Sequence, residues 1–166
     1  MPFNPVDRLK EEIAFWKHSH PPNFVAKAIM SVNGAPDLMQ WEVGIPGPSD
    51  SDWEGGLYRL LVQFPEKYPF SPPKCRFSPP IFHPNVFPNG EVLHPFLQGD
   101  VKWNSEMTIL FICKAIQDML EEPLLDYVAN PEASYLHQKR ENDYIEKVVN
   151  LAKEFSTELM FQRYWS

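Results

Sequence analysis

The prolines of this chain decide where regular structure is allowed. Eighteen of its 166 residues are proline, about twice the usual share of roughly 5%, and they cluster at 46–48 and again across 65–95. Proline has no amide hydrogen to donate and a fixed φ, so neither a helix interior nor a central strand runs through such a stretch. The second cluster is therefore a rigid irregular segment, and regular elements must lie on either side of it. Upstream, Asn4-Pro5 with Asp7 in the first turn is a helix start, and Leu9, Ile13 and Trp16 recur at helical spacing, predicting a helix that ends near His18. Residues 24–32 and 38–45 read as strands joined by the Asn33-Gly34 hairpin signal. Residues 57–64 read as a third strand, and 74–77 as a short fourth hemmed in by Pro72, Pro73, Pro79 and Pro80. Downstream the period changes. Ile109, Ile112, Ile116 and Leu120 mark a central buried helix over 108–120. Asn130-Pro131-Glu132 is another helix start, and Ile145, Val148, Val149, Ala152 and Phe155 trace a last amphipathic helix. Strands followed by helices predict one α+β domain over 1–166, with helices packed on one face of an antiparallel four-stranded meander.

Composition narrows the function. With 43% hydrophobic and 14% aromatic residues the chain can bury a full core. Fifteen Lys+Arg against 22 Asp+Glu leave a net charge of −7, which argues against nucleic acid, whose affinity comes mostly from cations neutralising phosphate. No apolar run approaches the roughly eighteen residues of a membrane span, and the first residues lack the apolar centre of a secretory signal. The expectation is a protein of the cytoplasm or nucleus that binds no membrane. Cys75 and Cys113 have no Cys-x-x-Cys companion, and His18 and His20 lack a ligand at metal spacing, so neither a metal nor a cofactor is expected. Phosphate-cradling glycine loops and the Gly-x-Ser-x-Gly elbow are absent.

Within the proline-rich segment, residues 82–92 form a stiff platform around a turn-forming Asn89-Gly90. His83 is there as a candidate acid or base and Asn85 as a candidate oxyanion donor; the competing reading has both side chains simply bonding the local backbone. Cys113 falls in the apolar stripe, where a thiol packs as a small hydrophobe. Cys75, between Lys74 and Arg76, has cations next to it in sequence that would favour a thiolate, set against a structural role.

Several ordered motifs then resemble one family, the ubiquitin-conjugating enzymes, and within it the branch that conjugates SUMO. They are Trp53-Glu54-Gly55-Gly56-Leu57-Tyr58, the run from Tyr68-Pro69-Phe70 through Lys74-Cys75-Arg76-Phe77, His83-Pro84-Asn85-Val86, Trp103 and Glu122-Pro123. Phe24-Val25-Ala26 and Leu38-Met39-Gln40-Trp41-Glu42 resemble the SUMO branch more particularly. The resemblance implies the same fold as the residue pattern: an N-terminal helix, a four-stranded meander, a central helix and C-terminal helices.

It also exposes a departure. The family carries its cargo as a thioester on a cysteine ten residues beyond the histidine of His-Pro-Asn, and that position here is Leu93. An aliphatic side chain has no lone pair with which to attack a carbonyl. Leu93-His94-Pro95-Phe96 stands where the family has cysteine, leucine and a small polar residue, and the family's acidic residue that orients the attacking lysine aligns with Tyr127, next to Asp126. With no acyl intermediate to stabilise, Asn85 is then better explained as holding its loop. The binding surfaces are a separate matter. Lys74 and Arg76 match positions that contact an acidic residue of the target motif, and Phe87 an aromatic beside that groove. Arg8 and Lys17 remain from a basic first-helix surface, although Ile13 and Ala14 replace its other cations and weaken complementarity to an acidic carrier. Phe3, Pro69 and Phe70 resemble docking points for activating enzymes and ligases. The resemblance thus implies a non-catalytic member that binds a ubiquitin-like protein (SUMO or ubiquitin), an activating enzyme, a ligase or an active conjugating enzyme. Its rival is an active transferase using another nucleophile, with Cys75 the candidate.

Overall fold

The computed structural model describes residues 4–98 and 102–165. Helix α1, Pro5–Ser19, begins as its sequence dictates: the Asn4 side chain accepts the Val6 amide at 2.9 Å, and Pro5 occupies a first-turn position that needs no donor. Strands β1 (Val25–Met30), β2 (Pro36–Pro46), β3 (Leu57–Gln63) and β4 (Lys74–Phe77) follow as a four-stranded antiparallel sheet in the order β1-β2-β3-β4. The hairpin at Asn33-Gly34 is present but wider than a two-residue turn. Ser31 donates its amide to Ala35 O (2.8 Å) and its hydroxyl bonds Asn33 Oδ1 and Ala35 O, closing the loop two residues before the expected strand end at Val32. The register also shifts between Ala28 and Ile29, where Ala28 pairs with Trp41 and Ile29 with Asp37, a bulge that carries extra β2 residues past the partner strand.

Alternation sorts the sheet into two faces. Trp41, Val43, Ile45, Leu60, Cys75 and Phe77 are buried in the core. Helix α2, Ile109–Glu121, packs there and buries Ile109, Ile112, Cys113, Ile116, Met119 and Leu120; at about 1.5–3 kcal/mol for each fully buried aliphatic side chain, this stripe is a main source of stability. The predicted helix start at 108 is its cap: Thr108 Oγ1 accepts the Phe111 amide at 3.1 Å. Helices α3 (Pro131–Lys139), α4 (Glu141–Glu154) and α5 (Thr157–Met160) complete the chain, followed by a π-helical turn at Phe161–Trp165. The last turn lies over the opposite face of the sheet. There Glu42 is bound by Arg59 (2.8 Å) and Lys27 (3.1 Å), Lys27 also donates to Tyr164 O, and the Arg59 guanidinium sits 4.3 Å from the Tyr164 ring centroid. The α+β architecture follows the sequence pattern, and the covering terminal turn is additional to it.

A second unread feature joins the helices. Glu12, a charged residue of α1, is buried; it accepts from Arg8 Nε (2.9 Å), from the Tyr68 hydroxyl and from the Ile109 amide at the start of α2 (2.7 Å). A carboxylate at a helix N-terminus satisfies a donor that the helix cannot bond internally. One side chain therefore ties α1 to α2 and to the Tyr68 loop.

Candidate functional site

The proline-rich segment runs back along the free edge of β4. The Phe77 amide donates to Gly90 O (2.8 Å), the Val92 amide to Cys75 O (3.1 Å), and Arg76 and Glu91 form an isolated antiparallel bridge. Gly90 makes this approach possible: its φ is +98°, and a Cβ there would stand 2.1 Å from Phe77 O.

His83 is fully buried and both its ring nitrogens are used. The Asn85 amide donates to Nδ1 (3.0 Å), which leaves the hydrogen on Nε2 to donate to Met119 O (2.7 Å). Burial pushes its pKa down to about 4, so at neutral pH it is an uncharged spacer between the loop and α2 rather than an acid or base. Asn85, also fully buried, is equally committed: Nδ2 donates to Leu124 O (2.8 Å) and Tyr127 O (2.5 Å), while Oδ1 accepts the Leu124 amide (2.8 Å). With both amide hydrogens spent on the backbone, no donor is left for an oxyanion. Both side chains bond backbone, but beyond the neighbouring Asn85 amide it is backbone distant in sequence, at Met119 for His83 and at Leu124 and Tyr127 for Asn85.

Asn85 is also the junction of the candidate site. Its carbonyl accepts the Leu93 amide (2.8 Å) while its side chain holds the loop containing Asp126 and Tyr127. Leu93 is half-buried, Tyr127 contributes its carbonyl to Asn85, and Asp126 is exposed. After Leu93, His94 caps a 3-10 turn at Pro95–Leu97, its Nδ1 accepting the Phe96 amide (3.1 Å). His94 lies beside the Phe96 ring at 5.0 Å between centroids, and Phe96 meets Phe111 of α2 at 5.4 Å. Burial lowers the His94 pKa. Sequence reading had no signal for this cluster of tilted rings, because Phe111 lies far along the chain.

Both cysteines are free and buried. Lys74 and Arg76 flank Cys75 in sequence but are exposed on the other face of β4, while Cys75 points inward and is 5% exposed. The expected cationic help for a thiolate is therefore corrected by strand alternation, and burial pushes the Cys75 thiol up to about 12. Cys113 lies in the core and burial raises its pKa as well.

Lys74, Arg76 and Phe87 do come together. They line a groove of about 340 Å³ with Glu91, Gln40 and Gln63, and neither cation forms an ion pair among the described residues. Strand alternation in β2 and β3 could have named the two glutamines in advance. Arg8 is placed differently from a free surface cation: besides Glu12 it donates to Ser105 O (2.9 Å) and Met107 O (3.0 Å) and lies over the Tyr68 ring. Its charge is absorbed by the fold. Lys17 is exposed in the last turn of α1, close in sequence to the exposed His18 and His20. Pro69 is buried and Phe70 is exposed, whereas Phe3 lies outside the described residues.

The family model described as "Ubiquitin-conjugating enzyme" matches residues 8–152. The chain is 38% identical over 153 residues to a SUMO-conjugating enzyme UBC9 of Caenorhabditis elegans, covering 92% of each. It is also 38% identical over 141 residues to a Sumo-conjugating enzyme ubc9 of Dictyostelium discoideum, covering 85% of this chain and 89% of the relative.

Proposed function

We propose, from the premise that this chain belongs to the ubiquitin-conjugating enzyme family, that it is a non-catalytic member acting as a binding or regulatory module in ubiquitin-like protein conjugation. The observation that carries this reading is Leu93: the position that the resemblance aligns with the thioester cysteine has an aliphatic side chain, in a loop whose main-chain framework is intact. Leu93 cannot accept an acyl group, because carbon without a lone pair forms no thioester or ester. The neighbouring groups do not substitute. His83 and His94 have their pKa lowered by burial, the Asn85 amide is occupied, and both cysteines are buried.

What remains is grip. The groove with Lys74, Arg76 and Phe87 offers two cations with no ion-pair partner among the described residues, and an aromatic wall, to a segment carrying a carboxylate. The partners proposed are a ubiquitin-like protein (SUMO or ubiquitin), its activating enzyme, a ligase, or an active conjugating enzyme, met in the cytoplasm or nucleus. The relatives named as SUMO-conjugating enzymes favour SUMO among the carriers.

The test is to incubate the purified chain with activating enzyme, ATP and labelled carrier and resolve the products without reductant. No reductant-sensitive adduct is expected, while carrier or partner enzyme binds non-covalently in calorimetry. A robust adduct abolished by Cys75→Ser would overturn the proposal in favour of the active-transferase reading. Leu93→Cys is not expected to restore full activity by itself, since His94, Pro95 and Tyr127 also depart from the family's pattern.

A further inference from the structure

We propose that Phe161–Trp165 is a strap that closes the outer face of the sheet and lifts from it while the domain stays folded. Its root and its tip are held in different ways. At the root the links run from main chain to main chain: the Leu57 amide donates to Phe155 O (2.8 Å), the Thr157 amide donates to Gly55 O (3.0 Å), and Gly56 and Ser156 form an isolated antiparallel bridge. Met160, at the end of α5, is buried. These contacts fasten the chain to the turn that leads into β3. Beyond Met160 the chain enters a π-helical turn, a rare geometry, and long side chains of the sheet hold it. Lys27 Nζ donates to Tyr164 O (3.1 Å), and the Arg59 guanidinium lies 4.3 Å from the Tyr164 ring centroid. The Lys27 side chain is 51% exposed, so its bond competes with water. The tip is therefore the part that opens first.

What the tip covers makes the movement reversible. Register pairs Lys27 with Glu42 and Arg59 with Gly44, and alternation turns Lys27, Glu42 and Arg59 away from the core face of Trp41, Val43 and Leu60. Glu42 is buried all the same, because Arg59 (2.8 Å) and Lys27 (3.1 Å) lie against its carboxylate. Each cation thus serves two partners, Glu42 in the sheet and Tyr164 in the strap. When the tip lifts they keep Glu42 and lose Tyr164, so no buried charge is left without its counterion. Little apolar surface is given up either: Phe161 is already 38% exposed, and Tyr164 and Trp165 are only partly buried. The ring of Trp165 lies 6.0 Å from that of Phe161 and 5.9 Å from that of Tyr164, so the tip moves as one aromatic unit. Seated, the strap withholds Lys27 and Arg59 from any other ligand of this face; lifted, it releases both. It contains neither Leu93 nor a residue of the Lys74 and Arg76 groove, so it does not rest on the non-catalytic reading.

The experiment is native-state amide exchange of the full chain, followed by NMR as urea is raised below the unfolding transition, with acrylamide quenching of tryptophan fluorescence beside it. Amides of 161–165 are expected to exchange at rates that urea barely changes, because a local opening exposes little surface, while those of Ile112 and Ile116 in α2 accelerate with urea. Of the five tryptophans, Trp16, Trp41, Trp53 and Trp103 are at most 7% exposed, so the quenchable emission belongs to Trp165, and Trp165→Phe is expected to remove it. Tyr164→Ala is expected to speed exchange at the tip by about twofold or more, the effect of losing one cation–π contact, and to raise the quenching. Tyr164→Phe keeps the ring and is expected to leave both readouts unchanged. Both positions are partly exposed, so the variants fold. Urea dependence at the tip equal to that in α2, or Tyr164→Ala without effect on either readout, would overturn the proposal. Neither result bears on the loading assay above.

Discussion

Asn85→Ala is the substitution that separates a structural amide from a catalytic one. The side chain makes bonds of 2.8, 2.8 and 2.5 Å to the backbone of Leu124 and Tyr127. At a net contribution of about 1 kcal/mol each, their loss costs about 3 kcal/mol. The full penalty of orphaned backbone groups does not add to this, because Leu125 and Asp126 are exposed and water can reach the released loop. For a chain of this size, about 3 kcal/mol corresponds to a fall in Tm of about 6–12 °C. Urea unfolding at constant m, with a thermal melt, measures the change, and amide exchange at Leu124 reports whether the loop has come free. Asn85→Asp is expected to be worse than alanine, since a charged oxygen replaces a donor facing two carbonyl oxygens. A loss below about 0.5 kcal/mol, with protection at Leu124 unchanged, would refute the argument.

Glu12→Gln is expected to destabilise by about 2–4 kcal/mol, because it removes the charge facing Arg8 and can no longer accept from Arg8, Tyr68 and Ile109 together; urea midpoints, and a cycle with Tyr68→Phe, test this, and additive losses would show that the network is not a unit. Stability should also fall with acid. His83 has its pKa lowered to about 4 from 6.5, so below pH 6.5 the unfolded chain takes up a proton that the folded chain refuses until about pH 4. The protection is complete above 6.5 and is lost through that window, by about 3 kcal/mol in total. His94, lowered in the same direction, adds to it. Urea midpoints compared at neutral pH and near pH 4.5 check the slope, and a flat profile for wild type, or an unchanged slope in His83→Gln, would refute the assignment.

What the sequence made legible was local. Asn4-Pro5 and Asn130-Pro131 announce helices by caps that act within a few residues, and each cap is present, whereas α2 was read from its apolar spacing. The alternation of β4 was equally readable, yet its meaning for Cys75 was missed, because neighbours in a strand face opposite ways and sequence proximity to Lys74 and Arg76 counts for nothing. Helix α4 starts without a side-chain cap, so its beginning at Glu141 carried no signal. The remaining gaps depend on distance along the chain. Glu12 reads as a solvated charge until Tyr68 and Ile109 are beside it, and Arg8 reads as a free cation until Ser105 and Met107 claim it. At the candidate site, Lys74, Arg76 and Phe87 were legible as a set only through the resemblance, whereas the hold of Asn85 on the loop at Tyr127 needed coordinates.

The hydrogen bond from the Leu93 amide to the Asn85 carbonyl joins two stretches of main chain, and such a bond is blind to what hangs from either α-carbon. The path of the loop is thereby insured against changes in the side chain at position 93. The side chain at position 93 can therefore change without forfeiting the architecture, so what this loop presents and how it is held are, for this scaffold, independent.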